Sequence, residues 1–327
     1  MRVGIMTIIW NGEFVMSWKK NLSYQQKQEI HKLLQVNSMW NLVVLVFIAI
    51  WILAGWTLLN TDFLVLRILC YIAIGISVHA MANMMHEGSH GNLFRNRFRD
   101  KWFSFILVIP AFFSASAYKV THMFHHRYTR TKDDPDEFKN ISSNKYLLSL
   151  AFYLWILIGT AVYLIHIPIT ALTRGRKFEI KEVLIEYALL LVIHSFIFLT
   201  AIKLNFVNEL LHCWLIPLFI AVLFGNIRGW AEHTMTEKGH DLTETRTVTS
   251  NKLLSFLNIN LNYHLEHHLY PTMPWYNLPK LHLLLQDEYA KAGAFIYKSY
   301  FVFLYDAFRT GVHGYAPPTR EKNEVLS

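Results

Sequence analysis

The pattern His-x-x-His-His occurs twice in this chain, at His122/His125/His126 and at His264/His267/His268, and a looser pair stands at His86 and His90 within His-Glu-Gly-Ser-His. Imidazoles three and four residues apart share one helix face and can turn their nitrogens to a common point, so the chemistry on offer is that of a metal site. The chain has seventeen histidines in 327 residues. At that density one such run arises by chance in roughly one chain in twenty and two in roughly one in a thousand, while a His four residues from another is expected about once. The two runs therefore carry the argument, and the His86/His90 pair takes its meaning from them. A basic surface patch would not explain the repeated spacing. No cysteine or carboxylate cluster stands at the boxes, which disfavours a structural zinc knuckle or a calcium site.

The elements that must hold these residues read as membrane helices. Hydrophobic residues make up 53% of the chain and aromatics 15%, and the mean hydropathy is positive, which points away from a soluble globule. The net charge of +8 does not mark a nucleic-acid binder, because Lys and Arg are dispersed between apolar runs instead of forming one stripe. Cys70 and Cys213 fall inside apolar segments and read as small hydrophobes. Asn41 to Leu59 and Phe63 to Ala82 form one helical hairpin, and Leu184 to Ile202 with Leu210 to Gly225 a second. Basic residues crowd the opposite ends of these hairpins, among them Lys19, Arg95, Arg97, Arg174 and Arg228, so those ends are expected to be cytoplasmic. All three boxes lie there.

A shared face constrains two further apolar stretches. Trp102 to Tyr118 would separate the first two boxes if it crossed, so it is expected to be interfacial or re-entrant. Leu147 to Leu172 is long enough to cross, yet it holds Gly159, His166 and Pro168, and parity favours a bent or in-plane helix. The expectation is an all-α polytopic membrane protein with four transmembrane helices in two hairpins, interfacial helices and a cytoplasmic histidine-rich cap. Residues 1–40 form an N-terminal cytoplasmic segment, 41–290 the membrane domain and 291–327 a C-terminal cytoplasmic segment. Met1 to Trp10 is too short for a signal peptide, and the polar tail from Pro317 reads as disordered.

These residues carry a resemblance. His-Glu-Gly-Ser-His after a second span, His-Met-Phe-His-His about thirty residues on, and Asn-Tyr-His-Leu-Glu-His-His late in the chain resemble the three boxes of the integral-membrane fatty acid desaturase and hydroxylase superfamily. The likeness covers about residues 40 to 290. Three further stretches resemble bacterial-type members: Tyr128 to Glu137, Thr243 to Val248, and Leu269 to Trp275. The resemblance implies a non-haem diiron centre with O₂ as co-substrate, held by His86, His90, His122, His125, His126, His264, His267 and His268. It implies a ninth ligand, His233, in Ala231-Glu232-His233. In acyl-CoA desaturases an Asn stands four residues before that His; here the position is Gly229, so either Asn226 compensates or the outer contacts differ.

Around the boxes, the acidic run Asp133, Asp134, Asp136 is either a solvated turn bent at Pro135 or a source of carboxylates that accept the second N–H of a liganding imidazole. Glu87, Glu232 and Glu266 are alternative acceptors, each about 100° around its helix from the neighbouring His. Arg246 could pair with this acidic shell or with an acidic head group. His79, His166, His194 and His212 lie in apolar segments with no partner pattern. Trp51, Trp56, Trp102 and Phe103 could line a tunnel or anchor the interface.

The activity expected is O₂-dependent desaturation of a fatty acyl chain, lipid-linked or thioester-linked. A hydroxylase or ketolase of a carotenoid or other alkyl lipid would use the same ligands. A non-enzymatic metal-binding membrane protein would need ionisable residues along a path through the spans, whereas these clusters sit at the span ends. Neither a haem domain nor an iron–sulfur cysteine cluster is visible, so electrons would come from a ferredoxin or cytochrome b5-like donor. Arg95, Arg97, Arg99 and Arg127 could dock it or attract anionic lipid. In a bacterial cell the location would be the inner membrane.

Overall fold

A computed structural model describes residues 17–140, 142–237 and 241–311. The expectations for Met1 to Trp10 and for the tail beyond Pro317 lie outside the described residues. After the short α1 (Ser17–Lys20) and α2 (Tyr24–Leu33), the chain forms α3 (Val43–Leu59) and α4 (Leu64–Ser89), joined by the polar turn at Asn60 to Phe63. Then come α5 (Arg97–Val108), α6 (Ala115–Tyr128), α7 (Lys145–Arg174), α8 (Lys177–Lys203), α9 (Val207–Leu210), a π-helical turn at Leu211–Leu215, and α10 (Ile216–His233). The last third holds β1 (Arg246–Val248), α11 (Lys252–Leu257), α12 (His264–Leu269), α13 (Leu278–Ala292), β2 (Phe295–Tyr297) and α14 (Tyr300–Thr310).

Among the described residues, five helical segments are long and apolar enough to cross a membrane, one more than the four crossings expected: Ser38–Leu59, Leu64–Ser89, Lys145–Arg174, Lys177–Lys203 and Val207–His233. Their outward faces are large apolar side chains such as Leu53, Trp56, Leu150, Leu191 and Phe196, as contact with lipid requires. The additional candidate is α7, a single 30-residue helix with Pro168 inside it. The segment between the first two boxes is broken: Arg97–Ala111 and Ala115–Tyr128 meet at 104°. At the break Phe112 has φ +64°, and Ser114 caps α6 by accepting from Ala117 N–H.

Two glycines show why α4 can serve as the central element. A Cβ at Gly75 would lie 2.6 Å from Ile220 Cβ and 2.8 Å from the Pro217 carbonyl, so α4 and α10 approach at a distance only glycine allows. A Cβ at Gly88, inside the first box, would collide with Ser104 Oγ of α5. At 26 residues, α4 is about 39 Å long against about 30 Å of hydrocarbon, so its last turns carry His86 to the bundle end.

Among the described residues, the all-helical expectation gives way at one place. β1 and β2 pair in parallel, Arg246 opposite Phe295 and Val248 opposite Tyr297. This sheet closes residues 249–294 into a loop whose interior part is α12, the carrier of the third box. The domain boundary expected at residue 290 falls inside α13, and Phe303 and Ala307 of α14 are buried in one core with Trp230 of α10.

Candidate metal centre

Each box reaches the centre by a different local device. His86 rides the last turns of α4 and His90 is its C-cap residue. His122, His125 and His126 occupy the last two turns of α6. The N-terminus of α6 is fixed by Glu186 of α8, whose carboxylate accepts from Ser114 Oγ (2.7 Å), Ser116 N–H (2.8 Å) and Ser116 Oγ (2.5 Å). His233 is the last residue of α10, and α12 begins at His264.

The side chains converge in two groups. His86, His90, His122, His126 and His267 each offer one nitrogen, and these nitrogens all lie within 4.8 Å of one another. His125, His233 and His268 do likewise, and His264 Nε2 stands 2.9 Å from His233 Nε2 and 3.1 Å from His268 Nε2. Within the five-histidine group, His122 Nε2 is 2.9 Å from His90 Nε2 and 3.0 Å from His126 Nε2, which in turn is 3.0 Å from His267 Nε2. His125 Nε2 and His233 Nε2 are 3.2 Å apart.

Hydrogen bonding cannot satisfy this arrangement. A neutral Nε2 either donates once or accepts along one lone pair, yet His122, His126, His233 and His264 each meet two other Nε2 atoms. His86 Nε2 is buried with no hydrogen-bond partner at all. Two nitrogens bound at right angles to one ion at about 2.1 Å lie about 3.0 Å apart, which is the spacing observed. Burial, reinforced by neighbouring imidazoles, holds His264, His267 and His268 well below the ordinary imidazole range. Burial with Lys119 nearby lowers His90 to about 3. All four are therefore neutral at physiological pH, the form that can bind a metal. The donor set fits a pair of ions that prefer imidazole nitrogen.

The far sides of the rings are oriented unequally. His125 Nδ1 donates to Asp134 Oδ1 at 2.9 Å, and Asp136 Oδ2 is 3.9 Å away. Asp134 is itself held by Arg130 N–H (2.8 Å) and Asp136 N–H (2.9 Å). His264 Nδ1 and His86 Nδ1 stand 3.4 Å and 3.5 Å from Glu232 Oε1 and Glu87 Oε1, at ion-pair distance without hydrogen-bond geometry. Glu232 also pairs with Arg228 at 2.8 Å.

The chain matches the family model for fatty acid desaturase over residues 62–300. It belongs to the fatty acid desaturase family. It is 26% identical over 266 residues to a sphingolipid delta(4)-desaturase/C4-monooxygenase of Rattus norvegicus, covering 77% of this chain and 75% of that one. A sphingolipid delta(4)-desaturase of Gallus gallus is 26% identical over 283 residues, covering 83% and 80%. The human sphingolipid delta(4)-desaturase is likewise 26% identical, over 246 residues, covering 70% and 68%. This desaturase-family chain is an integral-membrane oxidoreductase of lipid metabolism, with histidine clusters able to hold metal.

The remaining sequence candidates fall in different places. Asp133 is exposed, and its carbonyl accepts from Arg174 Nη1 at 2.9 Å. Asn226 clamps α10 to α7, donating to the Ile156 carbonyl (2.8 Å) and accepting from Thr160 Oγ1 (2.6 Å), while the space beside Gly229 is open. Arg246 is fully buried and donates to the Ala231 (2.5 Å) and Thr234 (2.9 Å) carbonyls, capping the helix that ends at His233; Phe295, Tyr297 and Phe303 surround its guanidinium. Glu266 turns away from the nitrogens to accept from Thr247 Oγ1 (2.5 Å) and His282 Nδ1 (2.6 Å). His79 meets Asn83 and Asn258, His166 meets Thr170, His194 meets the Leu190 and Ile109 carbonyls, and His212 meets Tyr71. Trp51 and Trp56 line an apolar cavity of about 460 Å³ with Gly55, Met81 and Cys213.

Sequence reasoning missed the roles of Glu186, Arg130 and Arg228. Glu186 carried a usable signal, a lone carboxylate inside an apolar stretch. Arg228 and Glu232 are an i,i+4 pair. Arg130, which reaches Glu137 at 2.7 Å and the Thr236 carbonyl at 3.1 Å, carried none.

Proposed function

We propose that this chain removes hydrogen from a methylene of a long lipid chain, yielding a double bond or a hydroxyl, at a pair of iron ions held by the nine histidines. The five-plus-four grouping of Nε2 atoms carries this reading. A bound diiron pair would supply O₂ activation and the oxidising power for an unactivated C–H bond. The protein's own part is positional. Asp134 keeps the His125 proton on Nδ1 and so leaves Nε2 free to ligate, Glu232 and Glu87 stand close to Nδ1 of His264 and His86 without hydrogen-bonding them, and partial burial of the cluster limits the access of water. The apolar cavity beside Met81, which is five residues and about 7.5 Å of helix before His86, would take part of a hydrocarbon chain.

The names of the relatives bring a sphingolipid forward as the substrate class, beside the fatty acyl lipid the boxes alone suggest. They also keep hydroxylation as a second reading, since one of them is called both desaturase and C4-monooxygenase. We place the boxes on the cytoplasmic side, with an external electron donor docking near Arg99 and Arg127. Arg95 is less available, being bonded to the Leu34 and Thr272 carbonyls, and Arg97 faces Glu182. The in-plane reading of α7 is supported by its partners: Phe138 packs on Phe152 and Trp155, and Arg174 reaches the Asp133 carbonyl, so the helix touches the loop that follows the second box at two separate places. Four crossings then remain.

Expression in a host lacking related enzymes, with mass spectrometry of the lipids and metal analysis of the purified chain, tests the proposal. The expected result is about two irons per chain and a new O₂-dependent double bond or hydroxyl in a sphingolipid or acyl lipid. A single zinc with no lipid product would overturn it.

A further inference from the structure

The last described helix, α14, is apolar on both sides. Phe303 and Ala307 are buried in a core with Trp230 of α10, yet Phe301 and Tyr305 are 82% and 64% exposed, and Val302 and Phe308 are exposed as well. Residues 301, 305 and 308 lie at i, i+4 and i+7, so they form one stripe. The polar residues of the helix do not interrupt it: Asp306 accepts from Tyr297 Oη at 3.0 Å, and Arg309 and Thr310 stand at the C-terminal end. Such a helix has no reason to face water across two apolar surfaces.

Its neighbour shows what covers the outer stripe. Phe308 stacks on Tyr153 of α7 with ring centroids 6.0 Å apart and planes 14° from parallel, and the Tyr153 hydroxyl reaches the Phe308 carbonyl at 3.4 Å. Along α7 the exposed face continues through Tyr146, Leu147, Leu150 and Leu154. α7 is one of the helices apolar enough for the bilayer, so the α14 stripe continues an exposed apolar face of a candidate membrane helix.

We propose that α14 is a membrane-interface helix, with Phe301, Tyr305 and Phe308 immersed at headgroup and upper acyl depth beside the start of α7. The segment 291–327, which by sequence reads as cytoplasmic, then returns to the membrane at this helix. Aromatic side chains favour that depth, and Arg309 at the helix end suits the headgroups. Because the inner face of α14 packs against Trp230, three residues before His233, and encloses Arg246 through Phe303, the bilayer surface is mechanically joined to the four-histidine group.

The test needs no turnover, so its outcome is separate from that of the proposed activity. Tyr305→Cys and, independently, Phe301→Cys are made in the full chain carrying Cys70→Ala and Cys213→Ala, labelled with bimane and placed in phosphatidylcholine nanodiscs. Leu150→Cys serves as a lipid-facing control and Asp287→Cys as a solvent-facing one. Doxyl-labelled phosphatidylcholine is expected to quench positions 301 and 305 to within about twofold of position 150. Aqueous iodide is expected to quench them several-fold less than position 287. Iodide quenching equal to that at 287, as a face reserved for a soluble protein would show, overturns the proposal. So does a disulfide-linked dimer of the unlabelled Tyr305→Cys variant, which would make the stripe a contact between two copies.

Discussion

The five-histidine half of the centre is assembled by helix packing: α4 meets α5 where Gly88 leaves room for Ser104, and His86 and His90 follow from that crossing. Its best-placed carboxylate, Glu87, spends one oxygen on Asn92 Nδ2 and Trp275 N–H, tying the Pro271–Trp275 loop to the first box. The four-histidine half is assembled by charge. Asp134 and Asp136 face His125, the Glu232–Arg228 pair faces His264, and Arg246 caps the helix under His233. The contrast teaches that the two histidine groups sit in different electrostatic surroundings. The half with fewer nitrogens has the open space beside Gly229 one helical turn before His233.

Replacing one histidine from each half should produce the largest effect. His125→Ala and His267→Ala are each expected to abolish lipid product and lower bound iron; full turnover in either variant would remove that residue from the ligand set. Asp134→Asn should separate the halves. It is expected to weaken metal binding roughly 10- to 100-fold, so that iron under chelator challenge falls from both sites toward the five-histidine site alone. Equal loss from both halves would break the comparison.

Acid should strike both halves together. The folded-state values of His90, His264, His267 and His268 are lowered, so between about pH 3, the value for His90, and the ordinary imidazole value of 6.5 the unfolded chain binds more protons than the folded one. Stability and metal content are therefore full above about pH 6.5 and decline as pH falls below it. Iron retention and thermal unfolding in nanodiscs at about pH 7.5 and about pH 5.5 check this, on either side of the ordinary imidazole value. No difference would argue against neutral, buried imidazoles.

The smaller effects are structural. Gly88→Ala should cost about 1–3 kcal/mol by overpacking the α4–α5 crossing, with loss concentrated in the five-histidine half. Arg246→Met should cost about 1–3 kcal/mol by leaving buried α10 carbonyls unpaired. Its effect should appear in the spectroscopic signature of the four-histidine half, and Arg246→Lys should restore part of it.

Much of the site was legible because histidines at i, i+3 and i+4 report their own purpose. What surrounds them was not. The Asp133–Glu137 run offered several carboxylates, and only the turn after α6, with Arg130 at φ +62° and Asp134 accepting its N–H, decides that Asp134 meets His125. Arg246 reads as a partner for acids until the parallel β1–β2 pairing buries it under three aromatic rings. The stretch Leu147 to Leu172 showed its length and apolarity but not its partners.

By itself the sequence determined the membrane class, the three boxes and the helices that carry them, since hydropathy and helical periodicity are local properties of the chain. Only the tertiary structure decided how nine imidazoles divide into five and four, which carboxylates face them, and that α14 belongs beside α7. Those outcomes depend on contacts between residues as far apart as His126 and His267, whose Nε2 atoms stand 3.0 Å from each other. No window of sequence contains such a pair.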